Sequence, residues 1–195
     1  IKKVLDGLEF PLYFLDYETT TSGLPLFDGC RPYTNMPFQY SVHVLDKPGG
    51  ELKHYEFLAR QDTENPVAEL TEELAKVIGP TGNVVVWFKN FEMGCNDLMA
   101  DMHPPAAEFL KGVNERVFDL MEVFSKFHYL HPEFKGSASI KNVLPVLVPE
   151  LSYDNLAVKK GDRASALWED SLKSDFDPVE REKLYADLLE YCKLD

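Results

Sequence analysis

The sequence predicts an α/β protein built around a mixed sheet, and three observations carry that prediction. Residues 38–45 alternate apolar and polar, residues 84–88 (VVVWF) are apolar without alternation, and between them Val67, Leu70, Leu74, Val77 and Ile78 recur at helical spacing. Alternation marks a strand with one face toward the core, an unbroken apolar run marks a strand covered on both faces, and the helix between them is the crossover.

Each element has a local reason. PLYFLDY, from Pro11 to Tyr17, is aromatic and aliphatic, begins with Pro at an edge position and runs into a Thr-rich stretch with Gly and Pro beyond, so it reads as the first strand. In the next strand Phe38, Tyr40, Val42 and Val44 share one face and Gln39, Ser41 and His43 the other, until Lys47-Pro48-Gly49-Gly50 breaks it. Alternation resumes from Leu52 to Leu58, which makes an antiparallel meander with one face toward the core. Asn65-Pro66 supplies an N-cap and a first-turn proline for the crossover helix, and Gly79-Pro80 stops it. Helices are expected over 91–102 and 105–113. The short apolar VFDL at 117–120 leads into a helix over 121–129, followed by helices over 139–147 and 163–173, with a loop rich in Pro, Ser and Asp between those two. The last helix opens at Asp177-Pro178-Val179-Glu180 and runs through Leu184, Leu188, Tyr191 and Asp195.

Composition sets the bounds. The 195 residues, 45% hydrophobic and 12% aromatic, suit one core and a single domain over 1–195. Twenty Lys and Arg against 33 Asp and Glu leave a net charge of −13, which argues against a broad electrostatic grip on phosphate backbones but not against a local polar site. No apolar run reaches the roughly 20 residues that span a bilayer, and the start lacks signal-peptide features, so a soluble, cytoplasmic protein is expected. Cys30, Cys95 and Cys192 form no C-x-x-C pair and read as reduced structural thiols. The first residue is not Met and the last helix meets no stop signal at Asp195, so the chain is expected to be a piece of a longer protein, its other domains being its partners. P-loop, dinucleotide and G-x-S-x-G signatures are absent, and His128 and His131 have no Cys or third His at ligand spacing beside them.

The candidate chemistry is acidic. Asp16 and Glu18, two residues apart on a strand, project from one face near the strand's C-terminal end, where open α/β sheets bind ligands. Two readings stay open there: solvated strand-end acids, or a pair whose mutual repulsion is relieved by a hard divalent cation. Leu184, Leu188, Tyr191 and Asp195, at spacings of four, three and four, share one face of the last helix, so an acid is aimed inward or stands at the rim in water. Glu92, in the first turn after the buried strand, suits the helix dipole whatever its function but lies at the same edge of the sheet. Asp119 of VFDLMEVF is a reserve acid whose expected task is to cap the helix that follows. Phe27, Tyr33 and Phe38 read mainly as core, with a stacking platform as the alternative, and Lys141 reads as an exposed lysine within reach of a phosphate.

LDYE (Asp16, Glu18), FKNFE (Glu92) and YCKLD (Tyr191, Asp195) together resemble the three motifs of the DEDD, or DnaQ-like, 3′–5′ exonucleases, and the Tyr resembles the DEDDy branch. The wider wording, YFLDYETT, GSASIKNVLP, VPELSYDNL and LLEYCKLD, is similar to the bacterial domain of unknown function 2779. The superfamily usually has Asp where this chain has Glu92 and often Asn at Phe88. The resemblance implies an RNase H-like mixed five-stranded sheet, antiparallel over its first three strands, parallel in the remainder and flanked by helices. It further implies a two-metal phosphodiester hydrolase acting on the single-stranded 3′ end of DNA or RNA. Asp16, Glu18 and Asp195 would hold one Mg²⁺ or Mn²⁺, Asp16 would share the second, Glu92 would act through bound water, and Tyr191 would orient the attacking water. The alternative is a module of this fold with weak or lost turnover that binds nucleic acid or serves assembly within a larger nuclease or defence protein.

Overall fold

The computed structural model describes residues 1–195 except Ser152, Asp154, Asn155 and Asp195. A short helix α1 (Lys2–Leu5) leads into β1 (Leu12–Thr20), β2 (Met36–Leu45) and β3 (Leu52–Leu58). Then come α2 (Pro66–Val77), β4 (Val84–Val86), α3 (Lys89–Met102), α4 (Ala107–Asn114) and β5 (Val117–Asp119). The chain closes with α5 (Glu122–Ser125), α6 (Ile140–Leu147), α7 (Gly161–Ser171) and α8 (Pro178–Leu194).

Among the described residues five strands form one sheet in the order β3-β2-β1-β4-β5. β1, β2 and β3 are antiparallel, and β4 and β5 run parallel to β1. This is the mixed sheet expected of the RNase H-like arrangement, with helices flanking it. The crossover starts as expected: Asn65 Oδ1 accepts the Ala68 N–H at 3.1 Å, Pro66 occupies the first turn, and Val67, Leu70 and Leu74 are buried. Just before β5, Arg116 bonds the carbonyls of Gly79, Thr81, Gly82 and Gly112 at 2.8–3.0 Å, tying the turn before β4 to α4. Gly82, at φ +87°, packs so closely that a Cβ would stand 2.0 Å from the Pro11 carbonyl oxygen.

The polar face of β2 departs from expectation. It too is covered: Gln39 is fully buried and its Nε2 donates to the Leu188 carbonyl of α8 at 2.9 Å. Alternation alone cannot distinguish a polar face bathed in water from one that hydrogen-bonds to a helix laid across it. Trp168 of α7, fully buried, stacks on Phe38 with centroids 4.3 Å apart and donates its Nε1–H to the Ala59 carbonyl at 2.7 Å. The segment over 121–129 differs as well: α5 is a single turn, and Phe127 adopts φ +59°. α3 begins two residues earlier than the periodicity indicates, and a 3₁₀ turn (Pro104–Ala106) precedes α4. Asp177 caps α8 as predicted, Oδ1 accepting the N–H groups of Val179 and Glu180 at 2.9 Å.

A candidate acidic site between the first strand and the last helix

Alternation along β1 buries Tyr13, Leu15 and Tyr17 on one face and sends Asp16 and Glu18 to the other, Asp16 half-buried and Glu18 only 8% exposed. β1 outruns its parallel neighbour: the ladder to β4 holds Tyr13 and Phe14, whereas the ladder to β2 continues through Asp16↔Ser41 and Glu18↔Gln39. The acids therefore stand on the overhanging C-terminal part of the central strand, next to where α3 begins.

Three helices converge on them. α8, held against β2, brings the Cys192 thiol to 3.5 Å from Asp16 Oδ2 and buries Tyr191 beside it in sequence. α7 begins at Gly161, where an added Cβ would meet Glu18 Oε2 at 3.3 Å and Tyr191 Oη at 3.8 Å, so both oxygens face the same bare backbone. The positive end of the α7 dipole thus lies against the Glu18 carboxylate. α6 contributes Lys141, whose Nζ donates to Tyr191 Oη at 2.6 Å and lies 4.9 Å from that ring's centroid and 5.5 Å from the Tyr153 ring's.

Glu92, in the first turn of α3, is 3% exposed. The Cys95 thiol is pushed well above its ordinary range by burial first, then by the charges of Glu92 and Asp16, so both acids act on one point at this edge of the sheet. The Tyr17 phenol is raised by burial first and then by Cys95 and Glu92; its Oη–H donates to Asn96 Oδ1 at 2.8 Å. Asp119 is engaged structurally: Oδ2 accepts the N–H of Lys89, the first residue of α3, at 3.2 Å, and Oδ1 that of Met121 at 3.0 Å. It therefore ties down the start of α3 as well as the turn after β5. His131 Nδ1 accepts the Glu133 N–H at 3.3 Å, a local capping role. Asp195, the remaining predicted acid, lies outside the described residues.

The donor set suits a hard cation, since Asp16, Glu18 and Glu92 offer carboxylate oxygens. Among the described residues no three His, Cys, Asp or Glu stand at ligand spacing already. Around the acids the surface is concave. One cleft of about 440 Å³ is bordered by Glu18, Thr21, Phe91, Gly161 and Ser165, and a second of about 430 Å³ by Tyr33, Phe88, Asn90 and Phe91. Phe91 is the shared wall. Tyr33 is 79% exposed and Phe88 46%, whereas Phe38 is core and Phe27 lies 6.3 Å from the Trp168 ring; Tyr33 thus departs from the core role expected for most of these aromatics.

Sequence reading did not foresee the placement of three contributors. Lys141 was expected to be an exposed lysine, but it is half-buried and bonded; its helix carries the buried Val143 two residues on, which is the one hint of where it points. Gly161 sits two residues before the expected helix start, and a glycine at a helix N-terminus carries no signal of what stands against it. Cys192 is indeed buried, but its thiol faces Asp16 rather than merely filling space.

An α/β sheet with acids at the C-terminal end of its central strand defines the class. A family model described as domain of unknown function (DUF2779) matches residues 13–139, and the chain belongs to that family. It is 24% identical over 212 residues to a Mycoplasma pneumoniae protein, "Uncharacterized protein MG366 homolog", the match covering 100% of this chain and 32% of that protein, so the chain spans about a third of its relative's length. No solved structure matches. Among the described residues no helix is long and apolar enough to cross a membrane.

Proposed function

We propose that this chain is a DEDDy-type, metal-dependent 3′–5′ exonuclease domain, hydrolysing phosphodiester bonds of DNA or RNA in the cytoplasm. The observation that carries the reading is the meeting of β1 and α8: Asp16 lies against Cys192, and Glu18 and Tyr191 flank Gly161 together. Residues from opposite ends of the chain, chosen by their resemblance to the exonuclease motifs, come from elements that touch.

Asp16, Glu18 and Glu92, together with Asp195 of the sequence motif, would hold two Mg²⁺ or Mn²⁺ ions. Such ions, when bound, supply Lewis-acid activation of water and neutralise charge at the phosphate. Tyr191 Oη orients the attacking water by hydrogen bonding; a phenol with an ordinary pKa near 10 is a poor free base at neutral pH. The neighbouring clefts suit a short unpaired 3′ end, because exposed Tyr33 and Phe88 offer ring faces on which bases stack, a contact that does not require a basic surface. That reconciles the reading with a net charge of −13.

The test is digestion of 5′-labelled single-stranded DNA and RNA in Mg²⁺ or Mn²⁺, with Asp16→Ala and Glu18→Gln as controls. A ladder shortening from the 3′ end that both substitutions abolish is expected. Degradation indifferent to Asp16→Ala overturns the reading, and metal-indifferent binding without cleavage favours a nucleic-acid-binding module instead.

A further inference from the structure

We infer that the cavity under α6 is a binding site for an uncharged, flat aromatic molecule of about two fused rings that carries one N–H or O–H group. The inference is independent of the nuclease reading, because none of its grounds involves the chemistry of the acids.

The first ground is the surface of α6. The helix is aliphatic at Ile140, Val143, Leu144, Val146 and Leu147, yet only Val143 is buried, and Leu147 is 43% exposed. Ile140, Leu144 and Leu147, at spacings of four and three, share one face of the helix. That face looks across a cavity of about 270 Å³ toward Phe14 of β1 and Trp87 just after β4. A helix so apolar and so little covered by protein gains by having that face taken out of water.

The second is size and shape. An apolar cavity of about 150 Å³ takes up benzene, so one of about 270 Å³ admits a second fused ring. Water finds few partners among such walls. The rings of Trp87 and Phe124 border the cavity stacked on each other, centroids 5.2 Å apart, and offer a preformed surface to a flat aromatic guest. Phe14 and His43 also border the wider cleft that reaches Leu45 and Leu52, which gives the cavity a way in.

The third is polarity. The polar lining is confined to Asp16, Ser41 and His43, neighbours on β1 and β2. Ser41 Oγ lies 3.0 Å from His54 Nε2, a bond that uses at most one of its two lone pairs in either tautomer, so the oxygen can accept a further hydrogen bond. Burial first, then His54 and Lys193, holds the His43 imidazole down to about 4, so it is neutral at pH 7 and presents one acceptor nitrogen. Asp16 is the one carboxylate of the lining; it turns an anion away, and the aliphatic walls penalise any charge. A neutral ring with a single donor matches this lining.

The experiment titrates the ¹⁵N-labelled protein with unlabelled indole in metal-free buffer. The chain has two tryptophans, whose Nε1–H signals report separately: Trp87 borders the cavity and donates to the Ala138 carbonyl at 2.9 Å, whereas Trp168 is buried against Phe38. The Trp87 signal should move and saturate, with half-saturation at about 1 mM indole or below, while the Trp168 signal stays. Leu144→Phe fills the cavity from the helix and Val85→Phe from the sheet, where Val85 pairs with Phe14; either one, folded by its thermal melt, should weaken indole about tenfold or more. Indene, the isostere without the N–H, should bind about fivefold more weakly, and indole-3-acetate about tenfold more weakly or worse. A Trp87 signal that does not move up to the solubility of indole overturns the site, as does unchanged binding in a folded filled variant. Indene equal to indole overturns the donor-bearing class, and indole-3-acetate equal to indole overturns the uncharged one. Failure of the digestion test leaves all of these readouts in force.

Discussion

Gly161 stands against Glu18 so closely that a methyl group on its Cα would lie 3.3 Å from Oε2, and the same methyl would approach Tyr191 Oη to 3.8 Å. The backbone of α7 is thereby a wall of the site, and the smallest possible side chain there is a probe of it. Gly161→Ala should leave the fold intact, since an alanine in a first helical turn is well tolerated. It should also cut Mn²⁺-dependent digestion about tenfold or more by shifting Glu18 a few tenths of an ångström. A thermal melt and a digestion rate on the same sample check both halves; unchanged digestion refutes the wall.

Asp16→Asn keeps the size of the side chain and removes its charge. On the proposed reading digestion falls about a hundredfold or more, the range seen when a single preorganised electrostatic group is lost. The urea midpoint should stay close to that of the parent, because Asp16 is only half-buried and the substitution keeps its size. A rate of digestion equal to the parent's would remove Asp16 from the chemistry.

Trp168 holds two layers together, stacked on Phe38 at 4.3 Å and bonded to the Ala59 carbonyl at 2.7 Å. Trp168→Ala should cost about 3–5 kcal/mol in urea unfolding through the cavity it leaves. Trp168→Phe refills most of that volume but strands the Ala59 carbonyl, so a loss of about 1–3 kcal/mol should persist. A Trp168→Phe variant as stable as the parent would show that the hydrogen bond contributes nothing.

Gly82→Ala brings two faults together, a left-handed φ of +87° and a Cβ 2.0 Å from the Pro11 carbonyl oxygen. Destabilisation well above about 1 kcal/mol is expected. Wild-type thermal stability would mean that the Pro11 segment moves aside freely.

Stability should depend on pH through His43. Its imidazole is held down to about 4, by burial first and then by His54 and Lys193, with Glu56 acting in the opposite sense. His54, whose ring centroid is 4.5 Å away, is lowered as well, by burial and then Lys193. In the unfolded chain a histidine takes up its proton near pH 6.5, so between pH 6.5 and 4 the unfolded state binds protons that the folded state refuses. Stability is therefore complete above about 6.5, declines as the pH falls toward 4 and levels off below, and His43→Gln should flatten that slope in urea titrations. An equal slope in the variant would place the effect on other groups.

Much of the fold was legible because it was locally encoded. Asn65-Pro66 and Asp177-Pro178 announce their helices through caps that form within four residues, and VVVWF announces a buried strand by composition. The candidate site was legible only as a set of acids with Tyr191. Asp119 shows why: its bond to Met121 is local, but its bond to Lys89 joins segments 30 residues apart, and no spacing in the chain encodes that one. Lys141 and Tyr191, 50 residues apart, meet only because α6 and α8 pack over the same end of the sheet. Gln39 is the opposite error, a polar residue whose pattern says solvent and whose partner is a backbone carbonyl of α8.

Asp16 and Cys192, 176 positions apart, touch in the finished molecule. During synthesis the first of these leaves the ribosome long before the second, and closing so large a loop has an entropic cost that grows only slowly with its length. A ribosome-bound chain can thus complete its sheet while its acids still lack the wall that α8 supplies. Enzymatic competence, on the reading given above, would switch on only after translation has passed Cys192, and appearance of activity in a synchronised cell-free reaction would time the docking of the closing helix.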